Sequence, residues 1–375
     1  MKPSQRRIAE LDALRGLAAL AVVLYHFTTR YDQLFGHGTP LPASFAWGEY
    51  GVDFFLMLSG FVILRSLDRT RRAGEFVASR FVRLYPAYWA AAALTFCVVC
   101  VFGLSGQQVA PWEAALNATM LQQTLGARHI DGAYWSLQVE LFFYAGMLAL
   151  YRAGAFRNSR RLQATLALWL VLEAVSTWML REGGDIDRTI VARIVGKLQV
   201  LLSLRYAHLF AIGIVLYHRS GRRAQPADWL LLAGCWILHG IVDSWPAALL
   251  IAALTFVLHG AVIGRLGALA ARPLVLLGSI SYPLYLIHQN VGYVAIRELE
   301  LRRLSPTAAI ASSLAVVLAL AWGLSFAVER PAQNWIKRRR QSRRAPKPPF
   351  VPPERVISIR GRAAYVRLTG HYLSD

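Results

Sequence analysis

Cysteine is scarce in this chain: three residues in 375, at Cys97, Cys100 and Cys235, all inside apolar runs. That excludes a disulfide framework and a cysteine-based zinc site, which need more ligands at set spacings. Cys97 and Cys100, one helical turn apart, read as packing residues, and no metal site is expected. Charge is also sparse, at 17% of residues, and acids are outnumbered, with 21 Asp and Glu against 41 Lys and Arg. A cleavable signal peptide is not expected, because the first apolar run outlasts a signal h-region and no small-residue cleavage site follows it.

What the chain has instead is apolar length. Hydrophobic residues make up 56% and the mean hydropathy is +0.39, which points to an all-α polytopic integral membrane protein. The net charge of +20 would suggest nucleic acid in a soluble domain. Here the basic residues lie between apolar runs, so they read as topology signals and no nucleic-acid partner is expected.

A bilayer core takes about 20 mostly apolar helical residues. Ten candidate spans centre near residues 20, 58, 96, 143, 171, 207, 236, 254, 284 and 318. The least distinct divisions are around residue 197 and at Asp243 to Pro246. Basic clusters recur on one side of this array: Lys2, Arg6 and Arg7; Arg65 to Arg83; Arg152 to Arg161; Arg219 to Arg223; Arg265 and Arg272; and the tail from Arg330. The positive-inside rule then puts both termini in the cytoplasm. Residues 1–336 form the expected transmembrane domain, and 337–375 a basic, Pro-rich cytoplasmic tail. Within that tail "VISIRGRAAYVRLTG" has the look of a strand or hairpin.

Ionisable groups inside spans are costly and default to function. In "LDALRGLAALAVVLYHF", three helical turns separate Arg15 from His26, so the two share a face about 16 Å apart along the axis. Depth counting brings Glu140 of "WSLQVELFFY", His288 of "SYPLYLIHQN" and Asp53 of "GVDFFLMLSGF" to the level of His26, in the outer half. At the opposite end Arg15 meets the loop "ASRFVRLYPAYW", whose Arg80 and Arg83 share a helix face and suit forked contacts with phosphate. Bland readings stay open: Asp12 and Arg15 as an i,i+3 pair, Arg80 and Arg83 as topology charges, His26 as an interior histidine. His208, His239 and His259 read as structural. Arg205 is expected to face the bundle interior.

Six motifs in order, "LDALRGLAALAVVLYH", "GVDFFLMLSGFVI", "SRFVRLYPAYW", "WSLQVELFFY", "SYPLYLIH" and the closing "ERP", resemble membrane-bound acyltransferase family 3 over roughly residues 8 to 335. The resemblance implies ten core transmembrane helices in a bacterial inner membrane. It also implies acyl transfer, acetyl above all, from cytoplasmic acyl-CoA to a hydroxyl of an exported polysaccharide or its lipid-linked precursor. A small glycoside or antibiotic is the alternative acceptor. The donor acetyl-CoA is a substrate, and no permanently bound cofactor is expected.

On the matching positions, His26 takes the role of catalytic histidine, with Glu140 and His288 grouped beside it. Arg15, Arg80 and Arg83 fall on the acyl-CoA side. Asp12, Asp53, Ser59, Tyr85, Trp135, Ser136 and Tyr285 are the supporting polar residues. Glu140 is expected to fix the His26 tautomer and stabilise its imidazolium, in the logic of a triad. The esterase-like domain fused to some members is not seen in this sequence. The rival from another class is a proton-coupled transporter or flippase relaying protons through His26, Glu140 and His288. A cytoplasmic arginine mouth is not something such a relay needs. Whether the protein forms a homodimer is not decided by the sequence.

Overall fold

The computed structural model describes residues 8–70, 72–182, 188–220, 222, 225–344, 357–359 and 362–364. The basic residues Lys2, Arg6, Arg7, Arg71 and Arg223 and most of the tail lie outside the described residues. The chain divides into two compact units, Met1–Gln333 and Asn334–Asp375. In the second, β1 (Ile357–Ile359) pairs antiparallel with β2 (Arg362–Ala364).

The helices run α1 (Ala9–Leu24), α2 (Tyr31–Phe35), α3 (Gly51–Leu67), α4 (Ala73–Phe102), α5 (Pro111–Asn117), α6 (Trp135–Arg152) and α7 (Ser159–Glu182). They continue as α8 (Arg188–Leu201), α9 (Ala207–Arg219), α10 (Pro226–Val242), α11 (Trp245–Val262), α12 (Arg272–Leu301), α13 (Pro306–Leu324) and α14 (Arg330–Arg344). Each of the ten positions singled out in the sequence lies in one of them. Among the described residues, six helices can cross a membrane by length and apolarity, or seven if the pair bent by 57° between Leu201 and Leu204 is one span. The short connection between α10 and α11 is closed by Ser244, whose side chain accepts from Ala247 N, with a proline in the first helical turn.

The helices that fall short of the apolar criterion are informative. α6 carries Gln138 and Glu140, and α12 carries Ser281, Tyr282, Tyr285, His288, Gln289 and Asn290. Yet α12 is buried nearly all round from Gly278 to Val294, as befits a helix surrounded by others. The polar helix is therefore the inner one. The peripheral α7 shows the reverse: Leu168, Val171, Leu172, Val175 and Trp178 recur at helical spacing and are exposed. A stripe of that extent is unfavourable in water and suits hydrocarbon.

Close approach of backbones sets the central crossings. At Gly16 a Cβ would stand 2.5 Å from Gly278 N, and at Gly278 one would stand 1.9 Å from Asp12 O. Gly60 and Gly213 play the same part between α3 and α9, against Phe210 O and Met57 O. Small residues are what let membrane helices approach this closely. Ten residues past the first crossing, and in the same 262-residue register, His26 meets His288. α1 and α12 therefore run parallel.

Three expectations need correction. "ASRFVRLYPAYW" is no loop; it is helical within α4, with Pro86 inside the helix. Arg205 is exposed, because it lies on the short turn Leu204–Tyr206 between α8 and α9 and so needs no interior partner. Cys97 and Cys100 are also exposed, on the outward face of α4, and only Cys235 packs in the core.

The first crossing gives a direct test. Replacing Gly278 with Ala gains about 1 kcal/mol of helix propensity, but it drives a methyl group into the Asp12 carbonyl, and overpacking of this kind costs typically about 1–3 kcal/mol or more. Thermal unfolding in detergent is expected to show a lowered midpoint for Gly278→Ala. Gly323→Ala, where nothing lies within 4 Å of the new methyl, should hold or raise it. Equal midpoints for the two variants would refute the crossing as a close contact.

Candidate functional site

His26 lies in a π-helical turn, Tyr25–Arg30, that interrupts the first span. Such turns occur mostly as single insertions within helices, often at functional sites. Its Nδ1 is 2.9 Å from Val22 O and 3.2 Å from His288 Nε2. His288 Nδ1 is 2.7 Å from Tyr285 O. A carbonyl oxygen can only accept, so both rings carry their proton on Nδ1. His288 donates to Tyr285 O, and its Nε2 lone pair accepts from His26 Nδ1–H, which is shared with Val22 O. This leaves the Nε2 lone pair of His26 free of both of those partners, with the Gln289 side chain hydrogen-bonded to the ring. The rings meet edge to face at 4.7 Å between centroids.

The other half of the site is a cavity of about 120 Å³ among α1, α3, α4, α6 and α12. At about 30 Å³ of liquid per water it holds a few waters or one small polar group. Arg15, Arg80 and Arg83 line it together with Ser59, Ser136, Glu140, Tyr144 and Tyr285. Arg80 donates to Ser66 Oγ at 3.3 Å and lies against the rings of Phe76 and Tyr144. Arg83 is paired with Glu329 and stacked over Tyr282. Arg15 has no direct hydrogen-bond partner among the described residues, although it feels the charges of Asp12, Glu140, Glu329 and Arg83. A guanidinium facing a cavity under those terms is a ready anion site.

The structure corrects the role expected of Glu140. Its Oε1 accepts from Ser59 Oγ at 2.9 Å and from Tyr144 OH, and neither histidine is among its partners. It faces the arginine cavity. Depth along a helix fixes a level and leaves direction free, and on α6 the Glu140 direction is that of Ser59 and Arg15. The tautomer of His26 is held by Val22 O and His288. Asp53 also leaves the expected group: its electrostatic neighbours are His208, Asp243 and Glu49, on the α9 side of α3.

The remaining supporting residues separate in the same way. Ser136 shares a 2.7 Å hydrogen bond with Tyr285 OH, and the Tyr285 ring, 5.5 Å from that of His288, forms the wall between cavity and histidine pair. Tyr85 and Trp135 stand apart from the cavity. Tyr85 OH donates to Thr119 O, and Trp135 packs on Tyr206 at the α8–α9 break. Asp12 does not line the cavity either.

Several residues escaped the sequence reading. Glu329 of the "ERP" motif, on a second π-helical turn, Ser325–Glu329, orients Arg83; the motif itself was the only signal. His208 and His239, read as structural, are joined in a buried line. Glu173 Oε1 lies 2.6 Å from His208 Nδ1, and His208 Nε2 lies 2.9 Å from His239 Nδ1. The segment between α4 and α6 is no simple surface loop. Asn117 donates to Glu113 O and Arg128 O and accepts from Ile130 N, meeting the requirement that a buried backbone be paired. In the same segment the Arg128 guanidinium and two backbone N–H groups hold the Glu113 carboxyl down at about 2, so it stays charged across ordinary pH. No group of residues able to hold a metal ion occurs among the described residues.

Comparison with known proteins adds an independent line. A family model described as an acyltransferase domain matches residues 8–326. The acyltransferase MdmB of Streptomyces mycarofaciens is 29% identical over 93% of this chain and 97% of its own length. ORF330 of Acidianus two-tailed virus, described as an acetyltransferase, is 31% identical over 40% of this chain and 42% of its own. Protein 2 in the picA locus of Rhizobium radiobacter is 39% identical over 27% of this chain and 52% of its own. The chain thus spans about half the length of the last two. No solved structure matches at a significant level.

The Arg83–Glu329 pair generates a prediction. Glu329 is buried and Arg83 partly so. Removing one member of a buried pair strands the other at a cost of about 3–5 kcal/mol, whereas replacing both with apolar residues is close to neutral. Arg83→Met alone should lower the unfolding midpoint well below that of the Arg83→Met, Glu329→Met double variant. A double variant no more stable than the single would show that the pair is not what holds these groups.

Proposed function

This chain belongs to membrane-bound acyltransferase family 3, and from that premise we propose that it is a ten-span enzyme of the bacterial inner membrane that moves an acetyl group from acetyl-CoA to a sugar hydroxyl. The family and the apolar helices make it a multi-pass membrane acyltransferase. The finer reading is ours: both termini cytoplasmic, the Arg15 end toward the cytoplasm, and an acceptor hydroxyl on an exported polysaccharide or its lipid-linked precursor. The observation that carries it is the His26 ring, with its Nδ1–H tied to Val22 O and His288 and its Nε2 lone pair left for a substrate proton.

A thioester is already activated, so the protein must position it and deprotonate the attacking alcohol. His26 Nε2 takes the O–H proton as the oxygen forms its bond to the thioester carbonyl carbon. Collapse of the tetrahedral adduct breaks the C–S bond, and the thiolate recovers the proton from the imidazolium. As His26 becomes cationic, its Nδ1–H bonds to Val22 O and His288 Nε2 strengthen, which stabilises the charged ring in the transition state rather than in the ground state. Arg15, with Arg80 and Arg83, would hold the anionic part of the donor. The axial distance of about 16 Å between Arg15 and His26 leaves room for an extended pantetheine arm running past Tyr285.

Two variants separate these roles. His26→Ala should reduce acetyl transfer by about 10²-fold or more and leave CoA affinity unchanged. Arg15→Gln should weaken CoA binding by about tenfold, the scale of one charge-assisted contact to phosphate. Calorimetric titration with CoA and radiolabelled transfer to envelope glycan read the two effects. Transfer by His26→Ala above a tenth of wild type would end the base assignment. Unchanged CoA affinity in Arg15→Gln would remove the arginine from the donor site. Mass spectra of envelope glycans from cells with and without the protein, showing identical acetylation, would defeat the acceptor reading.

A further inference from the structure

The turn of α12 that carries His288 is gripped by a segment no motif marks, residues 130–134 ahead of α6. Asp131 is fully buried. Its Oδ1 accepts from Ala133 N at 3.0 Å, capping the short turn Gly132–Tyr134, and its Oδ2 accepts from Asn290 N at 3.0 Å. Asn290 Nδ2 returns a bond to Ile130 O at 2.8 Å. Tyr134 OH donates to Leu286 O, and Tyr285 OH donates to Ala133 O. The Gln289 amide lies so close to Gly132 that a Cβ there would stand 2.4 Å from its Nε2. Every one of the contacts to α12 falls between Tyr285 and Asn290, the stretch that sets where His288 and Gln289 meet His26.

The chemistry of the grip is unusual for a helix packed among helices. Apolar contacts fix spacing but leave sliding and rotation soft, whereas hydrogen bonds to main-chain atoms fix both. A carboxylate has two separated oxygens and can take an N–H group on each, where an amide of its size has a single acceptor oxygen. A carboxylate buried with only backbone donors is expensive to keep, and here it ties a cap to the backbone of α12 two residues past His288.

Resting on the acyltransfer reading above, we infer that Asp131 is a positioning residue for the His26–His288 pair: by joining the Gly132–Tyr134 turn to Asn290 N it holds the α12 turn at the angle that lets His288 Nε2 accept from His26 Nδ1–H. It touches no substrate. Its effect reaches the reaction only through the orientation of His26.

Two substitutions separate this role from simple capping. Asp131→Ser retains an oxygen for Ala133 N but is too short to reach Asn290 N. Asp131→Asn keeps the shape but offers one oxygen for two donors. Positioning requires that both lower kcat by about tenfold or more, the scale of a misplaced catalytic group, with CoA affinity and donor KM within about twofold of wild type. If the cap alone matters, Asp131→Ser keeps its kcat. The second readout is the ¹⁵N spectrum of histidine-labelled protein in lipid, where the wild type should show two rings protonated on Nδ1 and hydrogen-bonded to each other, and both variants should lose that coupling. Wild-type kcat and wild-type histidine signals in Asp131→Ser overturn the inference, as does a fall in kcat that merely follows the unfolded fraction in a melt. Wild-type protein that transfers no acetyl to any acceptor would instead fail the acyltransfer reading, and the histidine spectra would still decide the role of Asp131.

Discussion

The parallel crossing of α1 on α12 is the constraint on which the site depends. Two glycines, Gly16 and Gly278, remove the side chains that would hold these helices apart. Because the helices run the same way in one register, the residues ten positions further along each must also meet, and those residues are His26 and His288. Arg15, beside Gly16, is brought to the cavity by the same crossing. One backbone approach thus sets both ends of the site, about 16 Å apart at the helical rise. A shift of the crossing by one turn would separate the rings and turn Arg15 away together.

That dependence explains what could be read from the sequence. The Arg15 to His26 spacing and the Arg80 to Arg83 spacing were legible because each lies within one helix, where period alone fixes the shared face. The inward placing of polar residues in "SYPLYLIHQN" was legible from cost. The partner of Glu140 was not. Counting residues from a helix end gives depth, one coordinate of three, and groups at equal depth on separate helices can face different neighbours. Glu140 faces Ser59 and Tyr144, and Asp53 faces the His208 side, for that reason. Asp131 was invisible on other grounds: it sits ahead of a helix, in a segment whose burial depends on α12 passing over it.

The two π-helical turns add a second reason that simple periodicity fell short. Each inserts a residue into an otherwise regular helix and rotates the residues beyond it by about 100°, one residue's worth of turn. One begins beside His26 and the other ends at Glu329, so both ends of the site lie where the helical period changes. A face drawn through either helix at a constant 3.6 residues per turn is correct on one side of the insertion and wrong on the other.

The division of charge then makes chemical sense. The arginine cavity and the histidine pair share a wall, Tyr285, whose hydroxyl is held by Ser136 and Ala133 O. On the arginine side Glu140 and Glu329 keep three guanidinium groups from facing one another unopposed, and these carboxylates need donors of their own, which Ser59, Tyr144 and Gln333 supply. On the histidine side no carboxylate among the described residues touches either ring. A carboxylate bonded to His26 would favour the imidazolium before any substrate arrived, and a base that is already protonated takes no proton. Holding Nδ1 with a carbonyl and a second neutral imidazole orients the ring without charging it. The acids are therefore placed against the arginines, and the ring that would take the alcohol proton in the proposed reaction has neutral partners beside it.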